Sequence, residues 1–272
     1  MLKTEERNPH SKHIDRASTE EMLSIMQREN INAVNAVGAA LPDIARAVEL
    51  ATSSVRAGGR VIYVGAGTSG RLGILDAAEC PPTFGVTPDV FVGVIAGGER
   101  AVFRASENRE DFAEDGIRAV ESLGVGEHDT VIGISAAGGA QYVLGALTYA
   151  AEHGASTVAI TSNENTPITR VAHVAIVTDT GAEVITGSTR MKAGTAQKVV
   201  LNMISTSVMI KCGYVYENLM INLKPTNDKL RARVIRIVSE LTELGTADAE
   251  TLLTRAGWDI KEALRVFHTE RT

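Results

Sequence analysis

Cysteine is nearly absent from this chain of 272 residues: Cys80 and Cys212 are the two, far apart and outside any C-x-x-C or Cys/His grouping. A disulfide framework and a zinc site are thereby excluded, and two reduced, buried thiols are expected. The six histidines show no H-x-x-x-H or other ligand spacing, so no metal is expected. Aromatic residues make up 4% against 44% hydrophobic overall, a balance rich in Ala and Val that suits parallel strands covered by helices. Long apolar runs are missing too: none approaches the roughly 20 residues that span a bilayer. The start, Met1-Leu-Lys-Thr-Glu-Glu-Arg, lacks a signal-peptide core, so no membrane partner and a cytoplasmic location are expected. A formal net charge of −6 argues against nucleic acid as a partner, while a local positive pocket can still attract an anionic metabolite.

What is present alternates. Apolar runs near 60–64, 90–95, 130–134, 156–160 and 174–178 are separated by helical patterns near 70–79, 110–122, 139–152 and 189–211. That rhythm predicts an α/β fold, a doubly wound parallel sheet flanked by helices. Residues 18–28 and 33–57 read as two leading helices, the first opened by the capping box Ser18-Thr-Glu-Glu. Beyond Pro225, a charged helix over 226–240 and two short amphipathic helices joined at Gly257 form a small C-terminal helical appendage of the ubiquitin-associated type. The expected division is 1–57 helical, 58–224 sheet domain and 225–272 appendage, a packing or dimerising element.

The densest chemistry lies in residues 65–79, Gly-Ala-Gly-Thr-Ser-Gly-Arg-Leu-Gly-Ile-Leu-Asp-Ala-Ala-Glu, directly after the first apolar run. A strand, a turn of glycines and hydroxyls, and then a helix N-terminus make a phosphate site. Gly65, Gly67 and Gly70 have dinucleotide spacing, but nothing acidic ends the run at 90–95, and no Gly-Lys-Ser/Thr ends the turn as a P-loop requires. Thr68 and Ser69 place two hydroxyls where a phosphate monoester would lie; the competing reading is a tight structural turn.

Three further stretches carry polar groups. Glu79 falls about 2.5 turns beyond the loop, where Cys80-Pro-Pro is expected to end the helix. There the negative dipole end, with partial burial, would raise its pKa and let it hold a proton; the alternative is a solvated surface side chain. Glu107, Glu110, Asp111, Glu114 and Asp115 form an acidic cluster, read as an acidic first turn with one member able to reach the pocket. In 181–198, Ser188 and Thr189 precede a long helix with Arg190 and Lys192 close by, either capping that helix or binding an anion with its free N–H groups.

Thr4-Glu-Glu-Arg-Asn-Pro, the stretch Gly65 to Thr83, Ile95-Ala-Gly-Gly98 and Thr186-Gly-Ser-Thr-Arg-Met-Lys-Ala-Gly-Thr-Ala-Gln-Lys198 together resemble the N-acetylmuramic acid 6-phosphate etherases, over roughly residues 4–235. The resemblance implies a sugar-isomerase (SIS) domain, a homodimer with pockets near the subunit interface, a sugar phosphate as partner and no cofactor. It implies removal of D-lactate from carbon 3, by ring opening, loss of the carbon-2 proton, departure of lactate and addition of water. By motif, the acid falls on Glu79; the family's second carboxylate, 31 positions later, falls on Glu110, here read as the base. Thr68 and Ser69 would hold substrate or phosphate, with Gly67 and Gly70 admitting backbone N–H groups.

One loop departs from the family. Where it usually reads Ser or Ala, Ala, Ser, Gly, Arg, Thr, Pro, Tyr, this chain has Ser135-Ala-Ala-Gly-Gly-Ala-Gln-Tyr142, lacking hydroxyls at 137 and 140 and a cation at 139. Each lost bond to an oxyanion would cost roughly 1.5–3 kcal/mol. The expectations are phosphate held weakly through the first loop and Ser135, an unphosphorylated or differently substituted muramic sugar as substrate, or a divergent relative. The tail is also shorter than is usual in the family. Alternative readings are a non-catalytic sensor like the glucokinase regulatory protein and an aldose–ketose isomerase, and the pair Glu79 and Glu110 argues for the etherase.

Overall fold

The computed structural model describes residues 2–106, 108–223, 225 and 227–269. These form two compact units, Met1–Ala78 with Asp89–Val208, and Glu79–Pro88 with Met209–Thr272.

In the first unit, α1 (Thr19–Ala39) opens on the expected capping box, with Ser18 Oγ accepting from Glu21 N and Glu21 Oε2 from Ser18 N. The helix runs unbroken to Ala39, correcting the break expected after 28, because Glu29, Ala33 and Val37 form one continuous buried stripe. The break falls at Ala40, and α2 (Leu41–Arg56) carries Pro42 in its first turn, where a missing N–H is tolerated.

Then follow β1 (Val61–Gly65), α3 (Gly67–Phe84), β2 (Phe91–Ile95), the short α4 (Glu99–Phe103), α5 (Ala113–Ser122), β3 (Thr130–Ile134), α6 (Gln141–Glu152), β4 (Ser156–Thr161), the short α7 (Pro167–Val171), β5 (Val174–Val177) and α8 (Lys192–Lys211). The five strands pair in parallel in the order β2-β1-β3-β4-β5. Every residue of β1 and β3 is buried, as in a sheet covered on both faces. Alternation splits β1: Ile62 and Val64 join a core with Val143, Ala146 and Leu147 of α6, while Tyr63 faces α3 and donates to Asp76 at 2.9 Å.

α3 does not end at Cys80. Pro81 and Pro82 lie inside it, and it closes where Gly85, at φ +68°, donates to the Pro81 carbonyl at 2.9 Å. Proline removes its own N–H but leaves later residues free to continue the helix for a turn. Cys80 is buried and Cys212 half-buried, the latter less covered than expected, and no disulfide joins them.

In the second unit, β6 (Val215–Tyr216) and β7 (Leu219–Met220) form a small antiparallel hairpin, an element not expected from the sequence. The helices α9 (Asp228–Thr242), α10 (Thr246–Arg255) and α11 (Ile260–Thr269) share a core of Val234, Val238, Leu253 and Ala263. No described helix is long and apolar enough to cross a membrane, and no described group of three or more His, Cys, Asp or Glu is placed to hold a metal.

Candidate functional site

Sheet order positions the site. The chain moves from β1 outward to β2 and returns to β3 on the other side of β1, so the loops leaving β1 and β3 diverge at the carboxyl edge, the crevice where α/β sheets take ligands.

In the first loop, Gly67 adopts φ +52° with open space at its Cβ position, a left-handed conformation suited to glycine. Gly70 is small for another reason: a Cβ there would stand 2.6 Å from Ile95 Cγ1 and 2.8 Å from the Gly65 carbonyl oxygen. It lets α3 close onto β1 and β2, and its N–H already donates to the Ala66 carbonyl at 3.3 Å. Ser69 is buried and its Oγ donates to Gln197 Oε1 of α8 at 3.0 Å. Thr68 lines a cavity of about 280 Å³ with Leu72, Arg190, Gly194, Thr195, Lys198 and Val199. The two motifs at 65–70 and 187–198 therefore meet.

The second loop leaves β3 at Ser135, whose hydroxyl accepts from Gly138 N at 3.1 Å and so caps its own turn. Gly139 has open space around its Cβ position. Tyr142 is buried behind it, and burial, followed by the charge of Asp115, pushes its phenol up to about 12.

The N–H groups expected to be free at the start of α8 are occupied. The carboxylate of Glu183 accepts from Lys192 N at 2.9 Å and Ala193 N at 3.0 Å. Burial raises the Glu183 carboxyl from its ordinary value, against the lowering effect of those two N–H groups and the Lys192 charge. Lys192 is itself buried, its ammonium shared between Glu29 of α1 and the Ala182 carbonyl. The expected ligand Lys192 is thus tied into the protein, while Ser188 is half-buried and Arg190 exposed beside the cavity.

Glu79 is exposed on α3, so this chain alone does not supply the burial that its reading assumed. Glu110 is exposed in a 3₁₀ turn, Arg109–Asp111, entered from Asn108 at φ 63°. The helix expected over 110–122 begins only at Ala113, because Phe112 is extended. Within the acidic cluster, Glu107 lies outside the described residues, and Asp115 pairs with Arg118 and, at 3.8 Å, with Arg109. A cavity of about 1230 Å³ lies beside this turn, lined in part by Gly97, Gly98, Arg104, Ser106, Arg109 and Tyr142; Glu110 is not among its lining residues.

Four residues of this region escaped sequence reasoning. Glu29 was detectable as a carboxylate on the apolar stripe with Ala33 and Val37, since a charge there demands a buried partner. Asp76, accepting from Tyr63, Asn202 and Ser205, and Glu183, capping α8 from nine residues upstream, gave no pattern. Gln197 lay within a quoted motif without a role.

Two family models match: the glucokinase regulatory protein N-terminal SIS domain over residues 43–151, and the SIS domain over residues 111–207. The chain is 50% identical over 268 residues to N-acetylmuramic acid 6-phosphate etherase 1 of Bacillus licheniformis, covering 98% of this chain and 88% of that protein. It is 51% identical over 263 residues to the N-acetylmuramic acid 6-phosphate etherase of Oceanobacillus iheyensis, covering 97% and 90%. Among solved structures, phosphoheptose isomerase from Neisseria gonorrhoeae shares the fold with a TM-score of 0.55 at 18% identity, covering 70% of this chain and 98% of that one.

Proposed function

This chain belongs to the N-acetylmuramic acid 6-phosphate etherases, and from that membership we propose how its residues divide the removal of D-lactate from carbon 3 of the sugar. The observation that carries the reading is near-full-length identity of about half with proteins of that name. The products are N-acetylglucosamine 6-phosphate and D-lactate, and the step is a carbon–oxygen lyase reaction followed by hydration, in cytoplasmic recycling of cell-wall sugars. Proton transfers at fixed places carry it, so no cofactor is invoked.

The carbon-2 proton is acidic only beside a carbonyl, so the ring opens first. Glu110 takes that proton first, leaving an enolate delocalised onto the carbonyl oxygen; the enolate's electron pair then forms the carbon-2–carbon-3 double bond as the carbon-3–oxygen bond breaks, and Glu79 gives its proton to the departing lactate oxygen. Water then adds its oxygen at carbon 3 and a proton returns to carbon 2. The phosphate lies at the N-terminus of α3, against Thr68, Ser69 and the backbone at Gly67, with Arg190 across the small cavity that Thr68 lines; Ser135 and Ser188 are read as further contacts to the substrate. Gly70 serves as the close contact of helix and sheet, and Lys192 anchors the wall that carries Arg190.

A homodimer belongs to this reading. Leu23, Ile31 and Val34 on α1, Leu75 on α3 and Met203 on α8 are exposed large apolar side chains, the kind of surface a second copy covers. Leu75 stands one helical turn before Glu79, so a partner that covers it also gives Glu79 the burial a proton donor requires. The appendage over 225–272 is read as a packing or dimerising element.

The deciding experiment measures D-lactate release from N-acetylmuramic acid with and without the 6-phosphate. Release from the phosphate alone supports the reading and shows that the altered loop is tolerated; release from the unphosphorylated sugar makes that loop a change of specificity. The match of residues 43–151 to the regulatory protein's SIS domain favours a second reading, a sugar-phosphate sensor, which release from neither would support.

A further inference from the structure

A hydroxyl has one proton, and in this structure the proton of Ser69 is given away inside the protein. Ser69 Oγ donates to Gln197 Oε1 at 3.0 Å, with Ser69 7% and Gln197 1% exposed. Ser69 in that arrangement presents a phosphate oxygen with lone pairs alone, which repel it. At the other end of the same amide, Gln197 Nε2 is buried and has no hydrogen-bond partner among the described residues. A buried N–H without an acceptor is costly, so this orientation is held at a penalty.

Both anomalies vanish in one movement. Turning the Gln197 amide by half a revolution brings Nε2 to Ser69 Oγ as donor, and the Ser69 proton is released toward the N-terminus of α3. The carbonyl oxygen then takes the unpartnered place, which buried structures tolerate better than an orphaned N–H. We propose that Gln197 is a positioning residue with two amide orientations, and that its rotation directs the Ser69 proton onto the substrate phosphate. The inference rests on the reading above that Ser69 contacts the phosphate. The amide touches Ser69 and not the reacting carbons, so its effect falls on binding.

The test is a double-mutant cycle on the whole enzyme with N-acetylmuramic acid 6-phosphate. Gln197→Met, of similar size and without hydrogen bonds, raises KM roughly ten- to a hundredfold, the worth of one bond to a charged oxygen, while kcat stays within about twofold. Ser69→Ala does the same, and the double variant is no worse than Ser69→Ala alone, because Gln197 acts through that hydroxyl. An unchanged KM in Gln197→Met, or additive effects in the double variant, overturns the proposal. Should Gln197→Met fail to fold, wild-type protein labelled with nitrogen-15 answers instead. The assigned side-chain amide signal of Gln197 moves on adding N-acetylglucosamine 6-phosphate and stays in place with N-acetylglucosamine; equal response to both overturns it. Failure of the underlying reading is separately visible, since wild-type enzyme would then show the same KM with and without the phosphate.

Discussion

Lys192 and Glu29, 163 residues apart in sequence, form an ion pair closed to water on both sides, with side-chain exposures of 4% and 3%. Around it, His10 Nδ1 lies 2.9 Å from the second oxygen of Glu29, and Ser11 and Asn8 bond the carbonyls of Val184 and Ala182. With Glu183 gripping the first N–H groups of α8, two buried carboxylates hold one lysine by its side chain and its backbone. The leading segment, α1 and the start of α8 are fastened together next to Arg190.

Removing one partner of a buried pair leaves an uncompensated charge. Lys192→Met is expected to cost about 3–5 kcal/mol of stability, and the double variant with Glu29→Met to recover most of it. Urea unfolding midpoints check this; a double variant as unstable as the single one would show that packing, not charge, sets the cost.

The same pair gives the protein an acid limit. Burial pushes the Glu29 carboxyl up, but hydrogen bonds from Lys192, His10 and Asn8 and the ammonium charge outweigh it, bringing the value down from 4.5 to about 2. A depressed carboxyl stabilises the fold above its unfolded value, and that contribution is lost as pH falls through the folded one. Asp129, held low by Arg60 against its own burial, adds to the loss, while the raised Glu183 acts in the opposite sense. Stability should fall between about pH 4.5 and about pH 2, and Glu29→Gln should flatten that fall in urea midpoints measured across the window.

Glu79 and Glu110 are expected to separate in kinetics. Glu79→Ala abolishes D-lactate release while exchange of the carbon-2 proton with deuterated solvent continues, and Glu110→Gln stops both. Equal loss of exchange in the two variants, followed by nuclear magnetic resonance, would refute the assignment of acid and base.

If the proposed homodimer forms through α3, Leu75→Arg should lower the molecular mass in solution from that of two chains to that of one, and lactate release should fall with it. Light scattering beside the activity assay decides; a monomer of full activity would remove the partner from the mechanism.

The altered loop is reversible by design. Gly139 has open space at its Cβ position, so Ala137→Ser, Gly139→Arg and Ala140→Thr together should lower KM for the 6-phosphate by tenfold or more. The turnover of unphosphorylated sugar serves as the control, and an equal change in both substrates would place the loop away from the phosphate.

Local patterns carried much of this. The capping box at Ser18, the apolar runs that became β1 to β5 and the glycine loop before α3 are written in spacing alone, because helices and strands repeat every 3.6 and two residues. Local rules also misled where packing overrode them. The break expected after residue 28 did not occur in α1, since its buried stripe runs on, and two prolines did not stop α3, since later N–H groups still found carbonyls.

The family and the α/β class followed from sequence alone, because motifs of contiguous residues keep their spacing however the chain folds; the carboxylates at 79 and 110 are a proposal drawn from the same motifs. The meeting of Ser69 with Gln197, of Lys192 with Glu29, and the capture of the α8 N-terminus by Glu183 were decided by tertiary structure. Those pairings join residues brought together by the strand order and by helices packed on the sheet, and a buried polar group takes whichever partner that packing sets within about 3 Å, at any distance along the chain.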